Sequence, residues 1–503
     1  MEFFSNLAMG FGVALTPANL GFAFLGAMVG TLIGVLPGIG PIATIAMLLP
    51  LTFHLEPVSG LIMLAGIFYG AQYGGSTTAI LVNLPGETSS VVTCLDGHQM
   101  ARQGRAGAAL AIAALGSFFA GSVATGLIAA FAPPLSRVGQ SFGAPEYFSL
   151  MLLGLIAAVV LAHGSVLKAI AMIVVGLLIG LAGTDGNTGG ERFTFDIREL
   201  TDGIDVATLA IGVFGIGEII SNLARPAEER SVVAQKISRL WPTADDFRRS
   251  WKAVLRGTAL GSVLGVLPGG GATLSSFAAY ALEKKSSKEP QRFGRGAVEG
   301  VAAPESANNA GAQTSFIPML TLGIPGNAVM ALMIGALTIH GIQPGPQIMV
   351  ERPTLFWGMI ASMWIGNLML VIINLPLIGI WVQLLKVPYR FLYLAILLFC
   401  AIGVYTVNNS YSAVVIAAFF GVVGFVLMRL ECEPAPMILG FVLGPLMEEN
   451  LRRAMKISGG DPMIFVHRPI SLGLLIAAGL LLLILVLPQI RGKREEVFQE
   501  GEA

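Results

Sequence analysis

The sequence Gly30-Thr-Leu-Ile-Gly-Val-Leu-Pro-Gly-Ile-Gly40 places a Pro-Gly pair inside an apolar run, and a close copy, Gly261-Ser-Val-Leu-Gly-Val-Leu-Pro-Gly-Gly-Gly271, returns in the second half of the chain. Proline lacks a backbone donor and glycine tolerates unusual dihedral angles, so each copy should form two short helices joined by an unwound turn. A second break follows each copy, at Leu84-Pro-Gly-Glu87 and at Ile324-Pro-Gly-Asn327. Within a membrane, unwound backbone is tolerated only where it is buried in protein or lines a polar cavity.

The two pairs of breaks keep their order and nearly their spacing. Pro37 and Pro268 are 231 residues apart, and Pro85 and Pro325 are 240 residues apart. Two breaks in the same order at a near-constant offset predict an internal repeat. Paired interruptions in the two halves of a chain are the best sequence pointer to the binding site of a transporter.

The overall composition is that of a protein embedded in a lipid bilayer. Of the 503 residues, 54% are hydrophobic and 12% are charged, whereas soluble domains average about 25% charged residues. Apolar stretches of about 20 residues span a bilayer, so we predict an all-α polytopic membrane protein with about 10 to 12 membrane segments. The net charge of zero does not support a nucleic-acid partner, and the three cysteines show no metal-binding spacing.

The basic residues divide the chain and orient it in the membrane. Eight Lys and Arg residues fall within 225–256, so the positive-inside rule makes this stretch a cytoplasmic linker. The linker separates a first repeat, 1–224, from a second repeat, 257–490, and a charged tail, 491–503, follows. The mainly acidic stretch 184–205 is expected on the opposite face.

In the first repeat we predict a re-entrant hairpin over 21–53, because neither arm is long enough for a full crossing. Its ends lack basic residues, so the hairpin should open to the outside, with Pro37-Gly38 at its tip. A broken helix over 58–101 and further helices within 108–223 complete this half.

In the second repeat a hairpin over 257–282 has basic residues at both ends and should therefore open to the cytoplasm. A broken helix over 307–341 and helices within 354–487 follow. Opposite hairpin directions predict two inverted-topology repeats. Strict inversion would place the basic tail outside, against the positive-inside rule, unless the apolar run 436–447 also crosses or dips into the membrane.

Each break should create one helix N-terminus and one helix C-terminus at membrane depth. A helix N-terminus attracts the oxygens of an anion, whereas free carbonyls at a C-terminus suit a cation such as Na⁺. Hydroxyl and amide side chains, which serve both kinds of ligand, surround the breaks, with no Lys or Arg inside the segments. The candidate substrate-binding residues are Gly38, Gly40, Gly75, Ser76, Thr77, Thr78, Asn83, Gly269, Gly270, Gly271, Asn309, Gln313 and Thr314. The candidate cation-binding residues are Pro37, Thr44, Pro268, Thr273, Ser275, Asn308 and Asn327.

Each of these features also has a structural interpretation. A Pro-Gly break can be a kink eased by neighbouring helices, and a Ser or Thr in an apolar helix is commonly a packing residue. Glu87 and Glu305 are either functional intramembrane carboxylates or helix caps. A channel or pore for small anions is the alternative to a secondary transporter. An enzyme is not expected, because the Gly-rich stretch 265–273 lacks a Gly-Lys-Ser/Thr ending.

At these residues the sequence resembles the large membrane subunit of the tripartite tricarboxylate transporters, the TctA family. The resemblance implies a permease of the bacterial inner membrane, driven by a gradient of Na⁺ or H⁺ and needing no other cofactor. It further implies a periplasmic solute-binding protein and a small four-helix membrane subunit as partners, and citrate or other carboxylates as substrates; association of two copies as a homodimer is left open. The matching motifs are Gly30–Pro41, Tyr69–Thr78, Asn83–Glu87, Asp96-Gly97, Arg102–Arg105, Gly265–Gly271, Pro304–Ala310 and Thr321–Gly326.

Overall fold

The computed structural model describes residues 2–36, 40–161, 165–224, 240–267, 269, 271–384 and 389–486. These residues are almost entirely helical, and their one sheet is the short antiparallel pair Gly183–Thr184 (β1) and Glu191–Arg192 (β2). The predicted all-α class is confirmed. The hairpin-tip residues Pro37, Gly38, Pro268 and Gly270 lie outside the described residues, as do the stretch 225–239 of the predicted linker and the charged tail.

The first half of the chain forms ten α-helices within the described residues. Short π-helical turns at 94–98, 101–105 and 211–216 connect some of them into longer rods. The helices are α1 (Glu2–Ala14), α2 (Pro17–Val35), α3 (Pro41–Thr52), α4 (Pro57–Val82), α5 (Val91–Thr93), α6 (Ala106–Gly139), α7 (Ala144–Leu161), α8 (Val166–Gly180), α9 (Val206–Ala210) and α10 (Gly217–Leu223).

The second half begins with a helix whose start is defined by its cap. The Thr243 hydroxyl accepts the backbone N–H of Asp246 at 3.2 Å, and the Asp246 carboxylate accepts the backbone N–H of Thr243 at 2.9 Å, so the two residues form a capping box. The helices are α11 (Ala244–Leu264), α12 (Gly271–Ser286), α13 (Glu299–Thr314), α14 (Phe316–Leu322), α15 (Ala328–Ile339), α16 (Ile348–Glu351), α17 (Pro353–Asn374), α18 (Ile378–Leu384), α19 (Tyr389–Asn408), α20 (Tyr411–Arg429), α21 (Ala435–Ile457), α22 (Ile464–His467) and α23 (Pro469–Val486).

The two predicted hairpins each have one long and one short arm. Their first arms, α2 and α11, contain 19 and 21 residues, whereas α3 and α12 contain 12 and 16. The first arms are therefore longer than the arms predicted from the sequence, 21–36 and 257–267. Helix α11 begins inside the predicted linker 225–256. The re-entrant geometry and the inversion of the repeats stay predictions.

Both long arms pack against the following broken helix through a row of glycines spaced four residues apart. A Cβ added at any of these glycines would lie 2.2–2.4 Å from a backbone carbonyl oxygen of the partner helix, so only glycine permits the approach. The partner carbonyls are spaced four residues apart as well. The pairs are Gly26–Met63, Gly30–Ile67 and Gly34–Ala71 in the first half, and Gly257–Ala303, Gly261–Ala307 and Gly265–Gly311 in the second. The two halves of the chain therefore share this pattern of helix packing.

The second breaks also share one backbone conformation. Asn83 ends α4 in the left-handed region at φ 58° and ψ 29°, and Gly323 ends α14 at φ 71° and ψ 23°. Four residues later Glu87 and Asn327 are both extended, at φ −152° and −157°. Asparagine and glycine tolerate left-handed angles better than other residues. The predicted interruptions at 84–87 and 324–327 are thus both present.

The outer surface carries the apolar stripes expected of a protein in lipid. By length and composition, five helices among the described residues can cross a membrane: Pro17–Val35, Ala101–Gly139, Val206–Leu223, Pro353–Asn374 and Tyr411–Arg429. On α20 an exposed row follows the helical repeat at Val415, Phe419, Val422 and Val426, each more than 45% exposed. A stripe of this kind would be an aggregation hazard in water but is suited to lipid.

Two segments differ in extent from the sequence expectation. The run 436–447 is part of the 23-residue helix α21 rather than a short dip, and α21 packs closely on α8, where a Cβ at Gly176 would lie 2.0 Å from the Met437 carbonyl oxygen. Helix α1 was not predicted. It packs against α17, and a Cβ at Gly10 would lie 2.4 Å from the Trp357 carbonyl oxygen.

Candidate functional site

The two second breaks converge on the start of α12. From the first break, the Thr88 hydroxyl lies 2.9 Å from the Thr273 hydroxyl in the first turn of α12. From the second break, the Gly326 carbonyl oxygen accepts the backbone N–H of Gly269 at 2.7 Å. The two halves of the chain thus meet within the stretch 269–273, although Thr88 and Thr273 are 185 positions apart in the sequence.

The residues that cap the broken helices fix the geometry of this region. The Asn327 side chain accepts the backbone N–H of Met330 at 3.0 Å and so begins α15. Glu87 and Ser90 form a capping box over the short 3₁₀ turn Thr88–Ser90. Both breaks are therefore ordered turns with their own hydrogen bonds.

The polar groups at this junction are accessible. Asn83 and Thr88 are exposed, and Thr273 and Asn327 are half-buried. The first turn of α12 presents backbone N–H groups beside these hydroxyl and amide groups, and N–H groups at a helix N-terminus attract anion oxygens. The break junction is defined as the start of α12 with Thr88, Thr273 and Asn327 beside it, together with Asn83, which ends α4 at the first break. This junction can hold a carboxylate through the dipole of α12 and through neutral hydrogen-bond donors.

The start of α3 in the first hairpin has a different charge environment. Its cap residue Gly40 directs its backbone N–H at a carboxylate oxygen of Glu218 on α10, at 3.5 Å. The Thr44 hydroxyl donates to the Gly40 carbonyl oxygen at 3.2 Å. Because a carboxylate already faces this helix start, the two hairpins are not electrostatically equivalent, and the start of α12 is the better anion site.

A second, fully buried polar cluster surrounds Glu305 on α13, which is 0% exposed. The Ser76 hydroxyl on α4 donates to the Glu305 carboxylate at 2.5 Å, the Thr93 hydroxyl also donates to it, and Asn308 Nδ2 lies 3.5 Å away. Asn309 Nδ2 contacts Asn308 Oδ1 at 2.6 Å. The cluster therefore joins α4 and α5 of the first half to α13 of the second.

Comparison with known proteins identifies the family of this chain. The sequence model described as "Tripartite tricarboxylate transporter TctA family" matches residues 20–439, which is most of the chain. The chain belongs to the TctA family. As a TctA-family member it is a multi-pass membrane component of a tripartite transporter, and the family architecture implies a solute-binding protein and a small membrane subunit as partners.

Two relatives from Agrobacterium vitis are similar to this TctA-family chain. One, described as an "Uncharacterized 52.8 kDa protein in TAR-I ttuC' 3'region", is 61% identical over 502 residues, which is 100% of both chains. The other, an "Uncharacterized protein in TAR-II ttuC' 3'region", is 60% identical over 243 residues, covering 48% of this chain and 100% of the relative. No solved structure matches the chain.

In this TctA-family protein several candidate residues lie in one of the two polar regions. Asn83, Thr273 and Asn327 lie at the break junction, where Gly269 and Gly271 bring α12 up to the second break. Ser76, Asn308 and Asn309 lie in the Glu305 cluster, where Asn309 Nδ2 also contacts the Ser117 hydroxyl at 2.7 Å.

The other described candidates hydrogen-bond within helices or pack at the breaks. Gly75 packs against Glu87, whose Cγ would lie 3.0 Å from an added Cβ. The Thr125 hydroxyl approaches Gln313 Oε1 at 3.4 Å. Four hydroxyls donate to carbonyl oxygens of their own helices: Thr77 to Tyr73 at 3.2 Å, Thr78 to Gly75 at 2.8 Å, Thr314 to Ala310 at 3.0 Å and Ser275 to Gly271 at 2.7 Å.

Two buried acids were not among the predicted binding residues. The sequence left Glu305 as either a functional intramembrane carboxylate or a helix cap, and it lies in the interior of α13 rather than at a cap. Asp96 accepts the backbone N–H groups of Gly296 and Ala297 at 2.8 and 2.7 Å and the Tyr280 hydroxyl at 3.0 Å. It therefore anchors the connection between α12 and α13. The sequence feature that could have identified Asp96 was the motif Asp96-Gly97.

Proposed function

We propose that this TctA-family subunit imports a carboxylate solute of the tricarboxylate type by secondary active transport across the bacterial inner membrane. A periplasmic solute-binding protein delivers the solute, and a small four-helix subunit completes the assembly. A cation gradient drives uptake, with Na⁺ as the coupling ion.

The observation that supports this proposal is the convergence of both second breaks on the first turn of α12. A carboxylate at the break junction would contact groups from both halves of the chain, because Thr88 belongs to the first half and Thr273 and Asn327 to the second. The four side chains of the break junction are neutral, so the solute would be held by hydrogen bonds and helix dipole rather than by Lys or Arg. A moderately held ligand can be released on the far side.

The same contacts suggest how access alternates. The two hairpins, α2–α3 and α11–α12, would move as a unit against the remaining helices. Such a movement would separate Thr88 from Thr273, now 2.9 Å apart, and expose the solute to one side and then the other.

The decisive experiment is uptake of a labelled tricarboxylate into proteoliposomes that contain this subunit, its small partner and added binding protein. Uptake above the external concentration that collapses when the Na⁺ gradient is removed supports the transporter. Downhill flux that is indifferent to the gradient supports the alternative, an anion channel.

Two variants test the residues. Asn83→Ala at the break junction should lower uptake about tenfold or more, since losing one hydrogen bond to a charged group costs about 1.5–3 kcal/mol. Asn309→Ala in the Glu305 cluster should also lower uptake, because it removes the buried contacts of Asn309 Nδ2 with Ser117 and Asn308. Membrane expression should stay unchanged. Asn450→Ala on α21, where the side chain donates to its own helix at Leu446, is the matched control and should transport normally. Normal uptake by both test variants would remove these residues from the site.

A further inference from the structure

A small cavity lies beside the Glu305 cluster, between α4, α6, α13 and α17. Its polar lining consists of Tyr73, Ser76, Thr77, Ser117, Glu305 and Asn374. The cavity has room for about one water molecule, too little for a tricarboxylate. Its ligand must therefore be a single atom or a water-sized species.

The cavity contains one buried acidic side chain. Glu305 is fully buried, and no ion pair found among the described residues includes it. The hydroxyl groups of Ser76 and Thr93 donate to its carboxyl group, which helps it to ionise. Full burial without a cation opposes ionisation, so a cation in the cavity would stabilise the ionised form and be bound by it.

Two residues that line this cavity each carry an oxygen with no hydrogen-bond partner among the described residues. Asn374 Nδ2 donates to the Leu370 carbonyl oxygen at 2.9 Å and to the Thr31 hydroxyl at 3.3 Å, whereas Asn374 Oδ1 accepts from no donor in the described part of the chain. The Tyr73 hydroxyl likewise has no partner within those residues, and both side chains are only 4% exposed. Buried polar atoms are rarely left unpaired. The free atoms are oxygens, which are the ligands of hard cations.

We propose that this cavity binds one Na⁺ ion, held by the Glu305 carboxylate and by the Asn374 and Tyr73 oxygens. The assignment rests on the proposed cation-coupled transport and gives the coupling ion a site that is separate from the break junction. The water-sized volume favours Na⁺ over the larger K⁺.

The position of this cavity explains how the ion would influence the solute site. Tyr73 and Ser76 lie in the last three turns of α4, which ends at Asn83 of the break junction. Glu305 lies on α13, which leads through α14 to the second break. A cation that draws Tyr73 and Glu305 together would therefore set the relative position of both breaks before the solute binds, so the two ligands would bind cooperatively.

The test is calorimetric titration of NaCl into the purified full-length subunit in lipid nanodiscs, with choline chloride holding the ionic strength constant. Wild type should give saturable binding of one Na⁺, and KCl should give none. Glu305→Gln should abolish the binding. Asn374→Ala should weaken it about 10-fold or more, as is common when one supporting group of a metal site is lost.

Asn367→Ala is the matched control. Asn367 lies on the same helix, seven residues before Asn374, and is 0% exposed. Neither of its amide atoms has a hydrogen-bond partner among the described residues, but it does not line the cavity. Its Na⁺ affinity should equal that of wild type. Size-exclusion profiles and helical circular dichroism establish that each variant is folded, and Asn374→Ala keeps the test decisive if Glu305→Gln does not fold.

Undiminished Na⁺ binding in both Glu305→Gln and Asn374→Ala would overturn the proposed site, as would weaker binding in Asn367→Ala than in Asn374→Ala. Absence of Na⁺ binding to wild type, with uptake that still requires Na⁺, would reject the cavity and leave the proposed transport standing. Conversely, Na⁺ binding that depends on Glu305, in a subunit whose flux ignores the Na⁺ gradient, would confirm the cavity and reject the transport proposal.

Discussion

The close approach of α2 to α4 can be tested by adding one methyl group. A Cβ at Gly30 would lie 2.3 Å from the Ile67 carbonyl oxygen, 2.8 Å from Ile67 Cα and 2.9 Å from Gly70 Cα. All three atoms are backbone, so no side chain can rotate away. To restore ordinary contact at 3.4 Å or more, Gly30→Ala must push the helices apart by about 1 Å.

The cost of this displacement can be separated from helix propensity. Gly21 lies on the same helix, is exposed, and has nothing within 4 Å of an added Cβ. Gly21→Ala should therefore stabilise the subunit by about 0.5–1 kcal/mol, the usual gain when alanine replaces glycine in a helix. Gly30→Ala has the same favourable effect on helix propensity. Its free energy of unfolding should therefore lie below that of Gly21→Ala by the cost of forcing the two helices apart, about 1–3 kcal/mol.

The measurement is equilibrium unfolding by SDS in mixed micelles, followed by circular dichroism. The repeat supplies an internal check, because a Cβ at Gly261 would lie 2.2 Å from the Ala307 carbonyl oxygen, so Gly261→Ala should lose a similar amount. Equal stabilities for Gly21→Ala and Gly30→Ala would show that the helices do not approach each other at this distance, and the shared helix packing of the two halves would have no support.

Two further outcomes are expected. Gly269→Ala should reduce proteoliposome uptake strongly, whereas Gly294→Ala should not. The two glycines have a similar φ (+80° and +79°), but an added Cβ at Gly269 would lie 2.7 Å from Ala158 Cα, while nothing lies within 4 Å of one at Gly294. Equal loss of uptake in both variants would mean that the dihedral angle alone matters. In the loop between α8 and α9, the backbone N–H of Asn187, followed by the Thr188 hydroxyl and by Arg192 and Arg452, lowers the pKa of Asp185 to about 2. The stabilisation from ionised Asp185 should therefore be complete above the unfolded pKa of about 4 and disappear as the pH falls towards 2. Thermal unfolding of wild type and Asp185→Asn should differ at pH 6 and converge below pH 4, and a difference that persists unchanged to pH 2 would contradict this.

The helical membrane class and the positions of the breaks were readable from the sequence because both depend on local chemistry. Apolar runs exclude a soluble fold, and a Pro-Gly pair interrupts a helix whatever surrounds it. Asn83, Gly323 and the extended residues Glu87 and Asn327 lie where the two breaks were predicted. The repeat was readable for the same reason, since it is a property of residue order.

Which break meets which helix was decided only by the tertiary structure. The Thr88–Thr273 contact spans 185 residues and the Ser76–Glu305 hydrogen bond spans 229, and no local pattern specifies either partner. The inequality of the two hairpins likewise depends on Glu218, which reaches Gly40 from 178 residues away. The physical reason is that helix propensity acts over a few neighbouring residues, whereas the pairing of buried polar groups depends on how closely whole helices pack, and in this chain glycines spaced four residues apart set that distance.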